Sequence, residues 1–168
     1  MATGRGNQLT KQVGEYLVAA ELGRRGYVAA TFSGNVPEYD IIATDSQFRS
    51  VPVQVKAITG KSWQLDFSRF AEVRFEDRQQ IIERPKKQPR PIACVMVALG
   101  DYGSDRFYIL EWRRLRDILV RAYRANLERK GGVRPVRYDS LHTAVSEVEL
   151  SKYRDNWSLL EVLCANEA

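Results

Sequence analysis

One hydrophobic segment of this chain holds three polar side chains where apolar ones would be easier to bury. Residues 37–57 read PEYDIIATDSQFRSVPVQVKA, and the pattern predicts two strands, residues 39–43 and 51–56, joined by a polar turn. An acid, an amide and an ammonium stand within these strands. A buried charge is costly unless it is paired, hydrogen-bonded or bound to a metal ion. The segment therefore predicts a central antiparallel hairpin that carries a polar site.

The three polar residues of the hairpin, Asp40, Gln54 and Lys56, are predicted to share one face. With a turn centred near residues 47 and 48, Asp40 lies opposite the stretch 54–56. Side chains alternate along a strand, so Gln54 and Lys56 point the same way, opposite to the three valines of that strand. The pattern therefore places an acid, an amide and an ammonium on one side of the sheet.

A helix is predicted near the start of the chain, from about residue 10 to residue 25. Its apolar positions recur at helical spacing, and glycines follow at its end. Glu15 lies one turn before Val18 and two turns before Leu22, so it shares their apolar stripe. Glu15 is thus a second carboxylate among apolar neighbours.

These residue types together indicate phosphodiester chemistry. The side-chain oxygens of Glu15, Asp40 and Gln54 are ligands that suit Mg²⁺ or Mn²⁺, and such an ion activates water and neutralises a phosphodiester. Lys56 would orient the attacking water or stabilise the developing charge. The set lacks the nucleophile–base pair of a peptidase and the second acid of a glycosidase. The structural alternative is an ion pair of Glu15 with Lys11 or an arginine, and another of Asp40 with Lys56.

The ordered set of helix acid, PEYD and VPVQVKA resembles the PD-(D/E)XK, or restriction-endonuclease-like, nuclease superfamily. Glu15 matches the acid of the first helix, and Asp40 matches the motif Asp. Gln54 stands where the superfamily usually has Glu, and Lys56 matches the motif Lys. Pro37 stands three residues before the Asp instead of directly before it.

The resemblance implies an α/β fold with a restriction-endonuclease-like core, in which a central mixed β-sheet is flanked by helices. It covers about residues 10–110, and residues 111–168 would form a helical extension of the same single domain. It implies a Mg²⁺-dependent endonuclease that acts on DNA. It also implies a homodimer or higher homo-oligomer, because small members of the superfamily use two copies to cut both strands.

Gln54 departs from the pattern and leaves two other interpretations open. An amide in place of a carboxylate removes one negative charge from the metal site, although some intron-type homing endonucleases of the superfamily carry Gln there. One alternative is therefore a catalytically weak or inactive nuclease-fold module that binds DNA. The other is a protein-interaction domain whose arginine-rich helix, beginning at Trp112, docks on an acidic protein.

The charge balance agrees with a polyanionic partner without requiring one. The 168 residues carry a formal net charge of +5, which favours phosphate contacts but also describes an ordinary solvated basic surface. Residues 69–91 are highly charged and end in a proline-rich loop that we expect to be exposed. The residues expected to follow a phosphate backbone are Lys61, Arg84, Lys86, Lys87 and Arg90.

The sequence also bears on the compartment. The longest apolar run is too short to span a bilayer, and the first twelve residues lack the hydrophobic region of a secretory signal. Cys94 and Cys164 are expected to be reduced thiols, and the single histidine excludes common zinc-ligand spacings. We therefore expect a cytoplasmic protein.

Overall fold

The architecture comes from a computed structural model that describes residues 4–32 and 38–166, so Pro37 of the PEYD motif lies outside the described residues. This part of the chain contains four α-helices and nine strands, eight of which lie between α1 and α2. In chain order the elements are α1 (Gly4–Arg24), β1 (Val28–Thr31), β2 (Ile41–Thr44), β3 (Ser50–Ile58), β4 (Ser62–Asp66), β5 (Ala71–Glu76), β6 (Gln79–Pro85), β7 (Ala93–Ala98), β8 (Arg106–Glu111), α2 (Trp112–Arg129), β9 (His142–Ser146), α3 (Glu147–Leu150) and α4 (Leu159–Ala165).

The chain divides into two compact units. The first comprises the described residues of Met1–Trp63, Arg90–Trp112 and Ser146–Ala168. The second comprises Gln64–Pro89 and Arg113–Val145. The segment after residue 111 is thus shared, because α2 belongs to the second unit whereas α3 and α4 belong to the first. The expectation of one domain with a helical extension stays a prediction.

The first unit is built on a mixed five-stranded sheet in the order β1-β2-β3-β7-β8. The strands β1, β2 and β3 pair antiparallel, β3 and β7 pair parallel, and β7 and β8 pair antiparallel. All six residues of β7 are buried, as expected for a strand covered on both faces. The predicted α/β fold, a central mixed sheet flanked by helices, is confirmed.

One face of this sheet forms the main core of the first unit. Alternate residues of β2, β3, β7 and β8 point to this face, where α1 and α4 cover them. The helices contribute Val18 and Leu22 from α1 and Leu160 and Leu163 from α4. The sheet contributes Ile41, Ala43, Val51, Val53, Val55, Ala93, Val95, Val97 and Ile109.

A glycine lets α1 approach β3 very closely. A Cβ built on Gly14 would lie only 2.4 Å from the Cβ of Ala57 and 3.7 Å from a methyl carbon of Val55. Only a residue without a side chain fits between the helix and the strand at this point. The contact sets the distance between α1 and β3. It also sets the position of the backbone at Glu15, the next residue along the helix.

A charged cluster fastens α3 to the strand β8 within the first unit. Arg106 donates hydrogen bonds of 2.6 and 3.0 Å to the Glu147 carboxylate, and the Tyr108 hydroxyl donates one of 2.6 Å. These hydrogen bonds, that of Arg106 first, lower the pKa of Glu147 to about 2. The cluster is not evident from sequence because its members lie about 40 residues apart.

The second unit contains α2 and the hairpin β5–β6. The charged segment expected to end in a loop forms this hairpin up to Pro85, and the proline-rich stretch follows it. Phe67 and Tyr123 stack with ring centres 3.8 Å apart, in a small core shared with Ala71, Val120 and Leu127. Among the described residues, no helix of either unit is long and apolar enough to cross a membrane.

Candidate active site

The register of the β2–β3 hairpin brings Asp40 beside Gln54. Ile41 pairs with Val53, so Asp40, one residue before β2, stands opposite Gln54. The backbone N–H of Asp40 donates to the carbonyl of Val53 at 2.9 Å and extends the ladder by one residue. The turn lies where it was predicted, and its residue Phe48 has a φ of 61°.

The Asp40 carboxylate is held from two sides. Its Oδ2 accepts a 2.8 Å hydrogen bond from the backbone N–H of Val55, and its Oδ1 lies 3.5 Å from the Lys11 ammonium. The side chain is only 13% exposed. A backbone donor fixes one oxygen without using any other side chain, so the orientation of this carboxylate is built into the hairpin.

Glu15 brings the second carboxylate to the same ammonium. Its Oε1 lies 3.4 Å from the Lys11 nitrogen, and the side chain is 17% exposed. That oxygen is itself buried, and it finds no hydrogen-bond partner among residues 4–32 and 38–166. The contact with Lys11 is an ion pair. A buried oxygen that lacks a hydrogen bond is unusual and calls for an explanation.

Lys11 thus bridges the two carboxylates of the site. Partial burial lowers the pKa of Lys11, but the charges of Asp40 and Glu15 outweigh it and hold the pKa above its usual value. The sequence indicated Lys11 only as a partner of Glu15 one turn away. Its second contact, with Asp40, joins residues far apart in the chain.

Gln54 and Lys56 occupy the opposite face of β3 from α1. Gln54 is 7% exposed, and its Nε2 donates a 3.2 Å hydrogen bond to the carbonyl of Glu38. Lys56 is half-buried, and its own carbonyl accepts a 2.8 Å hydrogen bond from the Trp63 indole. This buried tryptophan anchors the backbone from which the Lys56 side chain projects.

The four predicted site residues fall into two pairs, and Asp40 stands at the start of β2. Glu15 and Asp40 converge on the Lys11 ammonium, on the side of the sheet that carries α1. Gln54 adjoins Asp40 through the hairpin register and shares its face of β3 with Lys56. Asp40, at the start of this strand, connects the two pairs.

The donor set is a sparse one for a metal ion. Within the described part of the chain, no group of three or more His, Cys, Asp and Glu side chains is arranged to hold a metal. Two carboxylates nevertheless point at one cation position, and one of their oxygens is buried without a hydrogen bond. Mg²⁺ usually takes one or two carboxylates and completes its shell with water and substrate phosphate, so this set fits a magnesium ion.

The basic residues expected at a phosphate backbone are all exposed, but they are not equivalent. Arg84 is bound to Glu72 by hydrogen bonds of 2.9 and 3.0 Å. This hydrogen-bonded pair lowers the pKa of Glu72 and raises that of Arg84, so the carboxylate offsets the arginine charge. Of the other four, Lys61 and Arg90 belong to the first unit and Lys86 and Lys87 to the second, and the charge of Lys86 also helps to lower the pKa of Glu72.

Comparison with known proteins identifies the fold. No family model matches the chain, and no curated protein matches it. Among solved structures, the chain is similar to that of a bacterial homing endonuclease, I-Ssp6803I, with a TM-score of 0.52 and 15% sequence identity. The alignment covers 96% of this chain and 97% of the other. The chain therefore shares a nuclease-like fold with that endonuclease.

Proposed function

We propose that this protein is a Mg²⁺-dependent endonuclease that hydrolyses phosphodiester bonds in DNA and belongs to the PD-(D/E)XK superfamily. The observation that carries the proposal is the convergence of two carboxylates, from α1 and from the start of β2, on one cation position. The fold shared with a bacterial homing endonuclease supports the same reaction class.

The residues that would hold the metal are Glu15 and Asp40, whereas Gln54, the third ligand expected from the motif, lies on the opposite face of β3 and donates its amide to the Glu38 carbonyl. The buried Glu15 Oε1, which has no hydrogen bond in the described part of the chain, has a lone pair that a cation would satisfy. When bound, the ion would lower the pKa of a water and neutralise charge on the phosphodiester. Mn²⁺ prefers similar oxygen ligands and is expected to substitute for Mg²⁺.

The chain itself supplies orientation and a positive charge. The Val55 N–H keeps one Asp40 oxygen in place and leaves the other directed at the cation position. The Glu38 carbonyl holds the Gln54 amide, and the Trp63 indole holds the backbone at Lys56. Lys56 would donate to a phosphate oxygen or to the attacking water and so stabilise the negative charge that develops in the transition state.

Exposed cations would hold the DNA. Lys61, Lys86, Lys87 and Arg90 have side chains free to approach a phosphate backbone. A homodimer or higher oligomer would present two such sites to the two strands. The two thiols of the chain, Cys94 and Cys164, are buried, which suits the reducing conditions of the cytoplasm, where we place the protein.

A plasmid-nicking assay tests the proposal. Supercoiled DNA and Mg²⁺ are mixed with the wild-type protein and with the variants Asp40→Asn and Lys56→Met, with the exposed Asp101→Asn as a matched control. We expect nicking that needs the divalent ion, that falls at least about 100-fold in both site variants, and that persists in the control. Nicking that is insensitive to Asp40→Asn, or that is absent from the wild type, contradicts the proposal.

A second candidate is a nuclease-fold module that binds DNA without cutting it. One observation favours it: the Lys11 ammonium already pairs with both carboxylates, so a cation occupies the position without a metal. The amide of Gln54 adds no negative charge to attract one. This candidate predicts salt-sensitive DNA binding that is unchanged by Mg²⁺, together with no nicking at any Mg²⁺ concentration.

A further inference from the structure

We propose that Lys11 is an internal counter-ion that occupies the cation position of the site and must leave it before a divalent ion binds. The inference rests on the proposed function, because it concerns the same two carboxylates. It assigns Lys11 a role that the sequence motifs do not contain, namely setting the concentration of metal at which the site is filled.

The geometry makes Lys11 and a metal ion mutually exclusive. The ammonium nitrogen lies 3.4 Å from Glu15 Oε1 and 3.5 Å from Asp40 Oδ1, so it sits between the two oxygens that point at the cation position. A divalent ion bound to the same two oxygens would be in contact with this ammonium. Two cations at that separation repel strongly in a partly buried site.

The carboxylates are fixed, whereas Lys11 can move. Asp40 is pinned by the backbone N–H of Val55, and Glu15 follows Gly14, which packs directly on β3. Their side chains are 13% and 17% exposed, whereas the Lys11 side chain is 53% exposed. A lysine on the solvent side of a helix has a flexible four-carbon stem and can turn into water, where it regains rotamer freedom.

Lys11 is also not needed to orient the site. The Val55 N–H already fixes the Asp40 carboxylate, and the packing of α1 on β3 already fixes the backbone at Glu15. What Lys11 adds is a positive charge that offsets part of the carboxylate charge while no metal is present. Metal binds only to molecules in which Lys11 has moved away. The apparent metal affinity is therefore the intrinsic affinity multiplied by the fraction of such molecules.

The test measures metal binding in the absence of DNA. Mn²⁺ is titrated calorimetrically into the wild type and the variants Lys11→Met, Lys11→Gln and Asp40→Asn. Lys152→Met is the control, because it removes an exposed positive charge elsewhere in the first unit. We expect about tenfold tighter Mn²⁺ binding in both Lys11 variants, since two partly exposed ion pairs no longer compete. The control should show no such gain. Asp40→Asn should lose Mn²⁺ binding.

Melting temperatures give a second readout that needs no activity. Without metal, Lys11→Met should melt below the wild type, because two neighbouring carboxylates lose their shared cation. With Mn²⁺, the same variant should gain more in melting temperature than the wild type does, because it binds the ion more tightly. Lys11→Gln keeps a polar side chain and repeats the comparison if the Met variant folds poorly.

The outcomes separate this inference from the proposed function. If the wild type binds Mn²⁺ through Asp40 and the Lys11 variants bind it equally or more weakly, the counter-ion role is wrong and the metal site stands. If Mn²⁺ binding survives Asp40→Asn, or if neither the wild type nor the Lys11 variants bind Mn²⁺, both proposals are wrong. If Mn²⁺ binds more tightly to the Lys11 variants than to the wild type, while the control is unchanged, the counter-ion role is supported, whether or not the protein then cuts DNA.

Discussion

Replacing Gly14 by alanine should push α1 away from β3 and displace Glu15 with it. The new Cβ would lie 2.4 Å from the Cβ of Ala57, whereas carbon atoms in contact prefer about 3.5–4.0 Å. The helix must therefore move by roughly 1.1–1.6 Å, or the strand must yield by the same distance. Glu15 is the adjacent residue of the same helix, so the cation position would lose one of its two carboxylates.

The expected cost in stability is moderate and the expected cost in function is large. Overpacking of this kind costs about 1–3 kcal/mol, and alanine recovers about 0.5–1 kcal/mol as a better helix former than glycine. The free energy of unfolding of Gly14→Ala should therefore fall by about 1–2 kcal/mol. A misplacement of about 1 Å in a catalytic group can cost about 100-fold in rate, so nicking should fall far more than the folded fraction.

Two further variants isolate the cause. Gly23→Ala lies in the same helix with no atom within 4 Å of the new Cβ, so it should be neutral or stabilising. Ala57→Gly removes the methyl group that Gly14→Ala would strike, so the double variant should recover both stability and nicking. Urea unfolding and plasmid nicking at a temperature where all variants are folded measure the two effects. If Gly14→Ala matches Gly23→Ala, or if Ala57→Gly does not rescue it, the close-packing argument is wrong.

Three other predictions concern charge and hydrogen bonding. The folded pKa of Glu147 lies near 2, below its ordinary value, so its contribution to stability is present at neutral pH and is lost as the pH falls from about 4.5 towards 2. After screening, this contribution should be about 1–2 kcal/mol, and Glu147→Gln should remove this part of the acid dependence of the melting temperature. Gln54→Glu should tighten Mn²⁺ binding, measured by calorimetry, because it adds a negative charge. It should also lower the free energy of unfolding by about 1–2 kcal/mol, because a carboxylate cannot donate the hydrogen bond that the amide now makes. Urea unfolding measures this second effect, and a variant that gains stability would contradict it. Lys86→Gln and Lys87→Gln should each lower the salt slope of DNA binding by about one, whereas Arg84→Gln, whose charge is already paired, should change it little in the same salt titration.

The hairpin could be predicted from the sequence because its register depends on short-range rules. A polar turn between two apolar runs fixes which residues oppose each other, and alternation then fixes the faces. Asp40 consequently stands opposite Gln54 as expected, and the Lys11–Glu15 pair follows from helical spacing. Each of these inferences needs only a few neighbouring residues.

The second contact of Lys11 could not be predicted in the same way. It joins Lys11 to Asp40 only because Gly14 lets α1 rest on β3, and no local pattern reports how closely two distant elements pack. The β5–β6 hairpin was missed for a similar reason. Its strands carry many charged residues, and the buried Gln80 is satisfied by the Tyr123 hydroxyl, which is 43 residues away.

The discontinuous layout of the first unit has a consequence for the order of events during protein synthesis. Trp157, Leu160 and Leu163 cover the same valine-rich face of the sheet that α1 covers, although they come a hundred residues after β3. A ribosome must therefore release the chain through α4 before this face can be fully shielded from water. We expect a nascent chain ending near residue 150 to expose an aggregation-prone apolar surface and to need chaperone protection. The two carboxylates would then reach their folded positions only after α4 has been translated.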